Sequence, residues 1–476
     1  MFAPRSNVVQ MLTARRTAVR RHHMATGTNI EQIPFLRKIV MPLDRYFLNS
    51  AWNVIAVGRM LEGDMTRLMA NIDTGALAYA AAHAICTTSI PRLTFLDVGS
   101  YNRIFLLSFP NGEQVVARVP FPQNLIQDKI SSEIATMTFA RYYCNIPCPR
   151  VLGWSSTPSN PVGSPYILMD HAPGIPPFAK FYKETQDRRL KILDSLAKLH
   201  ACFARPLPFS QFGSIYFALD VIARNRGDID LSDPSMYRIG PYLRGPTSDM
   251  DIGGRLVYSA ESSSNIVHFW KGCLSQERAA VLSRWGTDKN TMITPPDHPY
   301  PRLGSRTFTL GDFLEISSTL QTIISRITLP RDPALLAPCL VSTDYAFRNI
   351  FVDVNTLEVT SFLDWDDVSV MPFVLCTRFP EDISWSYGAP PSWAQTGRFD
   401  FVPNDDPPLP GEEYQGEIER QQQRAYYKDR LKEYDHRFTD KLWDMRKEPL
   451  KIQEVVTHGW VYWLARSRWI SSHRSD

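Results

Sequence analysis

Ser342-Thr343-Asp344-Tyr345-Ala346-Phe347-Arg348-Asn349 leads into Ile350-Phe351-Val352-Asp353 and Glu358-Val359-Thr360-Ser361-Phe362-Leu363, and the stretch ends at Asp364-Trp365-Asp366-Asp367. The two apolar segments flank the turn-prone Asn355-Thr356, which predicts a β-hairpin. Folding it about position 356 or 357 sets opposite each other residues whose numbers sum to about 713, as those of Asn349 and Asp364 do. Both are therefore expected at the open end of the hairpin. A neutral amide oxygen beside a carboxylate suits a hard cation such as Mg²⁺, which takes few protein ligands and fills its shell with phosphate and water. Asp344, on the preceding loop, is placed to accept a proton from an attacking hydroxyl. An acid, an Asn five residues on and a second acid 15 residues after that Asn are the groups that phosphoryl transfer from Mg·ATP requires.

Upstream, Leu93 to Leu96, Asn102 to Phe109 and Gln114 to Val119 read as strands, with Pro110-Asn111-Gly112 as the turn between the second and third. Arg118 sits in the otherwise apolar run Val115-Val116-Ala117-Arg118-Val119, and a charge there needs a partner. The helix expected from about Leu125 to Tyr143 carries Ile126, Ile130, Ile134 and Met137 on its inner stripe, with Glu133 inside that stripe. Pairing of Arg118 with Glu133 accounts for both misplaced charges. Ahead of them, Val98-Gly99-Ser100-Tyr101-Asn102 stands where a phosphate-covering loop would be; with one glycine only it reads as an ordinary β-turn, or as a loop whose Ser100 and backbone amides are expected to meet phosphate oxygens. Pro165-Tyr166-Ile167-Leu168-Met169-Asp170-His171 ends as a hinge whose backbone, at Met169 and His171, is expected to read adenine.

Asp187 to Ala204 is read as an amphipathic helix with His200 as a packing histidine, and Thr309 to Ile327 as the one clear helix of a long Pro-punctuated region. The charged stretch from about Glu412 to Arg446 is expected to be a helix with a solvated face, and Trp460-Val461-Tyr462-Trp463 to anchor the last helix.

Charge is nearly balanced, with 52 basic and 49 acidic residues, so the overall composition calls for no nucleic-acid partner. The basic residues concentrate at Arg5, Arg15, Arg16, Arg20 and Arg21, ahead of the first acid at Glu31. That pattern reads as a mitochondrial transit segment, or as a basic tail of a cytoplasmic protein. Seven scattered cysteines argue for core and loop thiols rather than a disulfide framework or zinc site. No apolar run approaches the roughly 18 to 20 residues of a transmembrane segment.

The chain resembles the aminoglycoside phosphotransferase family of the protein kinase-like fold, and within it the fungal group called altered inheritance of mitochondria. The resemblance is carried by Gly99-Ser100-Tyr101-Asn102-Arg103-Ile104-Phe105, Val116-Ala117-Arg118-Val119-Pro120, Ser132-Glu133-Ile134-Ala135-Thr136-Met137, Ile146-Pro147-Cys148-Pro149-Arg150-Val151-Leu152, Asn160-Pro161-Val162-Gly163, Gly213-Ser214-Ile215-Tyr216, Ile239-Gly240-Pro241 and the stretch from Asp344 to Asp367. It covers most of residues 95 to 377. It implies a bilobed α+β fold with a small β-rich N-lobe and a larger, mainly helical C-lobe. The expected division is a transit segment at 1–30, a helical extension at 31–92, an N-lobe at 93–172, a C-lobe at 173–400 and a Pro-rich crossing with a helical segment at 401–476.

By position, the resemblance implies Asp344 as catalytic base, Asn349 and Asp364 as Mg²⁺ ligands, Arg118 as the anchor of the ATP phosphates and Glu133 as its partner. Two residues depart from the family pattern: Ser342 stands where a His is usual, and Arg118 where a Lys is usual. The implied activity is transfer of the γ-phosphate of ATP to a hydroxyl of a small molecule, and the alternative is a nucleotide-binding pseudokinase acting as a mitochondrial scaffold or regulator. Trp365, Asp366, Asp367, Glu381, Asp382, Trp385, Trp393, Asp405 and Asp406 gather after the metal site and suit an amine-bearing acceptor, or are a lobe surface of solvated acids and packed tryptophans.

Overall fold

The structure is a computed structural model and describes residues 71–98, 102–121, 128–177, 180–218, 231–243, 260–294, 307–384, 417–465 and 470. The expected transit segment, most of the helical extension, Ser100 and the Pro-rich crossing lie outside the described residues. The chain divides into two compact units. One comprises Met1–Tyr143, Pro147–Pro173 and Phe217–Tyr237; the other comprises Cys144–Ile146, Gly174–Tyr216 and Arg238–Asp476.

The first unit is built on strands β1 (Arg92–Val98), β2 (Asn102–Ser108), β3 (Gln114–Pro120), β4 (Val151–Ser155) and β5 (Tyr166–Asp170), antiparallel throughout in the order β1-β2-β3-β5-β4. Alternation along β3 separates two faces. Val115, Ala117 and Val119 point into a core with Phe105, Leu107 and Leu168, covered by helix α1 (Thr74–Ala84). The small residues Ala78, Ala81 and Ala82 allow that helix to lie close to the sheet, and the Asp73 side chain caps it by accepting from Ala76 N at 2.9 Å. Val116 and Arg118 point to the opposite face, toward helix α2 (Lys129–Tyr142). Phe217 and Tyr237, expected in the second lobe, belong to this unit: Phe217 stacks on Trp154 and Tyr237, and Tyr237 meets Phe139 edge-on at 5.1 Å.

The second unit contains helices α3 (Gln186–Phe203), α4 (Ile266–Trp285), α5 (Leu310–Arg326) and α6 (Glu417–Tyr434). Between α5 and α6 run β6 (Pro338–Ser342), the hairpin strands β7 (Ile350–Val352) and β8 (Val359–Phe362), and β9 (Val368–Pro372), with β6 paired to β9. Gly174 lies with φ at 98° against β7, where a Cβ would come within 2.4 Å of the Val352 carbonyl oxygen, so the chain passes there only as glycine. Ile175 then exchanges both backbone hydrogen bonds with Val352.

Two features differ from the sequence reading. Helix α4 went unpredicted although Ile266, Phe269, Trp270, Cys273, Leu274 and Val281 follow the helical period; the buried Glu277 interrupts the stripe and accepts a bond from Trp460 N at 3.2 Å. Helix α6 is not merely a solvated face: Arg420, Arg424, Tyr427 and Leu431 are buried, Arg430 pairs with Asp194 of α3, and Arg424 donates to the Ile383 carbonyl at 2.9 Å. Arginines buried with their stems packed, as Arg424 is, form a pattern that hydropathy alone reads as polar.

Candidate active site

In the first unit, Arg118 and Glu133 form an ion pair through Arg118 Nη2 and Glu133 Oε2, with their side chains 12 % and 1 % exposed. The register places Arg118 opposite Ile104 on β2 and Ile167 on β5, and Val116 opposite Met169. Ile104, Val116, Ile167 and Met169 therefore share the sheet face of the Arg118 guanidinium, giving an apolar surface beside a cation held by a buried acid. Met169 is buried at the end of β5, Asp170 pairs with Arg150, and burial lowers the pKa of His171, which favours its neutral form.

The stretch around Asp344 in the second unit is shaped by its apolar residues. Tyr345, Ala346 and Phe347 are buried: Tyr345 donates to the Leu196 carbonyl of α3 at 2.7 Å, and the Phe347 ring meets Phe181 at 4.7 Å. With these side chains turned inward, Asp344 and Arg348 remain partly exposed. Asn349 donates through Nδ2 to Asp344 Oδ2 at 2.8 Å and to the Asp344 carbonyl at 3.0 Å. That orientation leaves the amide Oδ1 as its remaining acceptor.

The hairpin pairs Ile350 with Phe362 and Phe351 with Ser361, then shifts register at Val352, which pairs with Val359. Asn349 thus stands opposite Leu363, whose N–H donates to the Asn349 carbonyl at 2.9 Å, and Asp364 is the next residue. The pairing is centred on position 356, within the expected range, and is set by the turn, where Asp353 Oδ1 accepts from Asn355 N, Thr356 N and the Thr356 hydroxyl and Leu357 takes a φ of 65°. Asn349 and Asp364 still lie at one end of the hairpin. Beyond Asp364, Trp365 is 1 % exposed, stacks on Phe203 at 5.7 Å and donates to the Phe362 carbonyl at 3.0 Å, so its ring is part of the core beneath the loop.

Arg348 was not among the expected site residues, and the contacts of Glu381 and Asp382 with the Asp344 loop were not expected. Arg348 pairs with both Asp344 Oδ1 and Glu381 Oε2. Glu381 N–H donates to the Tyr345 carbonyl at 2.9 Å, and Asp382 Oδ2 accepts from Phe347 N at 2.7 Å. The available signal was the spacing of four between Asp344 and Arg348; nothing local announces that the 381–382 pair returns to this loop. Of the residues read as suiting an amine or as a surface of solvated acids and packed tryptophans, Glu381 and Asp382 bond to the Asp344 loop and Trp365 is packed in the core; Trp385, Trp393, Asp405 and Asp406 lie outside the described residues.

Burial raises the pKa of Asp344, and Glu381 adds to that, against the lowering effects of Arg348 and Asn349. Asp382 is pushed up to about 6, chiefly by burial. Burial opposes the charge of Arg348, yet Asp344 and Glu381 raise its pKa on balance. Two residues before Asp344, the Ser342 hydroxyl is buried and has no hydrogen-bond partner among the described residues. His200 is buried between the Tyr427 hydroxyl at 2.9 Å and the Cys376 carbonyl at 2.6 Å, a packing role.

For Mg²⁺, Asn349 and Asp364 offer hard oxygen donors from adjoining backbone positions, and the Asn349 amide is already turned with its nitrogen away from a cation, so the donor set fits. Among the described residues no group of three or more His, Cys, Asp or Glu is arranged to hold a metal, and no helix is long and apolar enough to cross a membrane.

No protein-family model matches the chain. It is 25 % identical over 323 residues to a subtelomeric hrmA-associated cluster protein of Aspergillus fumigatus, covering 61 % of this chain and 60 % of that protein. It is 25 % identical over 314 residues to altered inheritance of mitochondria protein 9, mitochondrial, of Lachancea thermotolerans, covering 61 % of this chain and 50 % of that protein. These fungal proteins are homologues of the chain. The matches span less than two thirds of the length of either relative. Among solved structures, a macrolide 2'-phosphotransferase of Brachybacterium faecium matches with a TM-score of 0.38 and 12 % identity, over 84 % of this chain and 95 % of that one. The chain itself has the α+β composition expected: an antiparallel sheet with an ion-paired helix in one unit, and a mainly helical second unit holding the Asp344 loop and its hairpin.

Proposed function

We propose that the protein transfers the γ-phosphate of ATP to a hydroxyl of a small molecule. The observation that carries this reading is the bond from Asn349 Nδ2 to Asp344 Oδ2 at 2.8 Å, made while the Asn349 backbone accepts from Leu363, the neighbour of Asp364. It joins the candidate base to the candidate metal ligands in one stretch of chain. Asp344 orients the acceptor hydroxyl and takes its proton as the oxygen attacks the γ-phosphorus and the bond from that phosphorus to the β-phosphate oxygen breaks, releasing ADP. Mg²⁺, held by Asn349 Oδ1 and the Asp364 carboxylate, would neutralise charge on the phosphates. Arg118, fixed by Glu133, holds the α and β phosphates, while the apolar face formed by Val116, Ile104 and Met169 suits the adenine ring, and backbone groups near His171 its edge. Ser100 would contribute to the phosphate loop. The transit-like N-terminus and the mitochondrial designation of homologues support action in mitochondria.

A specific observation favours a second reading, the nucleotide-binding pseudokinase: Asp344 is already paired with an arginine, and Ser342 offers it no support. Purified protein given Mg·ATP and a library of hydroxylated metabolites, with and without amines, separates the two. Wild type is expected to phosphorylate at least one compound, and Asp344→Ala to lose about 10² to 10⁴ of that rate while still binding Mg·ATP. Because the Asp344 pKa is raised, the rate should fall on acidification above the ordinary carboxylate range. Binding of Mg·ATP without turnover of any acceptor would favour the pseudokinase.

A further inference from the structure

We infer, on the basis of the phosphotransferase reading above, that Arg348 is a positioning residue that holds the Asp344 carboxylate in its working orientation from the C-terminal side of the loop. The two carboxylate oxygens of Asp344 have separate partners: Arg348 on Oδ1 and Asn349 Nδ2 on Oδ2 at 2.8 Å. Arg348 reaches on to Glu381 Oε2 at 2.5 Å, and the Glu381 N–H returns to the carbonyl of Tyr345, the residue after Asp344. The bonds form a closed circuit through Asp344, Arg348, Glu381 and Tyr345. A guanidinium can span two carboxylates with separate nitrogens, whereas an ammonium is a single point of charge. The strand side supplies no equivalent hold, because the buried Ser342 hydroxyl makes no hydrogen bond among the described residues. Each carboxylate oxygen has two lone pairs, so the circuit fixes Asp344 and still leaves acceptor capacity for a substrate proton.

Carboxyl footprinting with a carbodiimide and glycine ethyl ester, read by mass spectrometry on the full chain, reports this hold without requiring an acceptor. In Arg348→Ala, labelling of Asp344 should rise several-fold while labelling of Asp364 and the melting temperature stay near wild type; Arg348→Lys should lie between. Glu381→Gln, which leaves Arg348 in place but weakens the circuit, should raise Asp344 labelling less than Arg348→Ala does. With an acceptor, or water in its place, Arg348→Ala should lower kcat by about 100-fold with KM for Mg·ATP unchanged, the scale of a misplaced reacting group. Asp344 labelling equal to wild type in Arg348→Ala, or a KM effect without a kcat effect, overturns the proposal. If Arg348→Ala does not fold, unchanged labelling in Glu381→Gln overturns it. Failure of the phosphotransferase reading shows separately, as wild-type protein that neither binds nor consumes Mg·ATP whatever the footprint.

Discussion

The Arg118–Glu133 pair and the Asp344–Arg348–Glu381 cluster use the same kinds of charge in opposite surroundings. The first is one ion pair between a strand and a helix, almost wholly removed from water. The second has side chains 28 %, 42 % and 31 % exposed, two carboxylates sharing one guanidinium, and a buried third acid behind them in Asp382. In the first, loss of one partner leaves a charge in a low-dielectric place; in the second, water can take over much of what a lost partner did. The first is therefore suited to a fixed role and the second to a carboxylate that must exchange protons.

The sharpest way to break this contrast is Glu133→Gln, which leaves the Arg118 charge without its anion. It should cost about 3 to 5 kcal/mol of stability in denaturant unfolding, against roughly 0 to 1 kcal/mol for Glu381→Gln on the exposed side. Equal costs would remove the distinction. Trp365→Ala tests whether the second region takes its rigidity from the aromatic base rather than from its charges; a core tryptophan of this kind should cost about 3 to 5 kcal/mol on truncation, while Trp365→Phe is milder. A loss of acceptor binding without loss of stability would return Trp365 to the substrate surface.

Acidification sharpens the comparison further. The folded-state pKa of Asp382 is raised to about 6, above its ordinary value, so the folded protein binds the extra proton first. Its unfavourable contribution is present above pH 6 and is relieved as the pH falls from about 6 toward 4. Asp382→Asn should therefore be more stable than wild type at pH 7 by on the order of 2 kcal/mol, with the difference shrinking over that window; the amide oxygen can still accept from Phe347 N. A constant difference with pH would mean that another group titrates. Smallest of all, Ser342→Ala removes a buried hydroxyl without a partner and should be neutral or stabilising by up to about 1 kcal/mol, with no change in turnover. A large loss of activity in that variant would assign the hydroxyl a role the contacts do not give it.

Legibility followed the range of the interactions. The hairpin, the strands around Pro110-Asn111-Gly112 and the pairing of Arg118 with Glu133 were readable, because alternation, turn residues and a charge inside an apolar stripe are signals within about 30 residues of chain. The choice between 356 and 357 as the centre of the hairpin was not readable, since a turn that closes on the Asp353 side chain and carries a positive φ at Leu357 adds no hydrophobic signature. The buried stripe of α6 was hidden by charged residues within it, such as Arg424, which donates to the Ile383 carbonyl.

The sequence by itself determined which residues carry charge into the apolar frame of each unit and in what order: a cation on a strand, an acid on the next helix, then an acid, an amide and an acid about a hairpin. Tertiary structure alone decided how the Asp344 loop is supported. Glu381 and Asp382 return to it from more than 30 positions away, Tyr345 is held by α3, and Trp365 is drawn into the core. The physical reason is that local pattern encodes which side of an element faces water, whereas the partner of a half-buried charge depends on which distant backbone the packed core brings beside it.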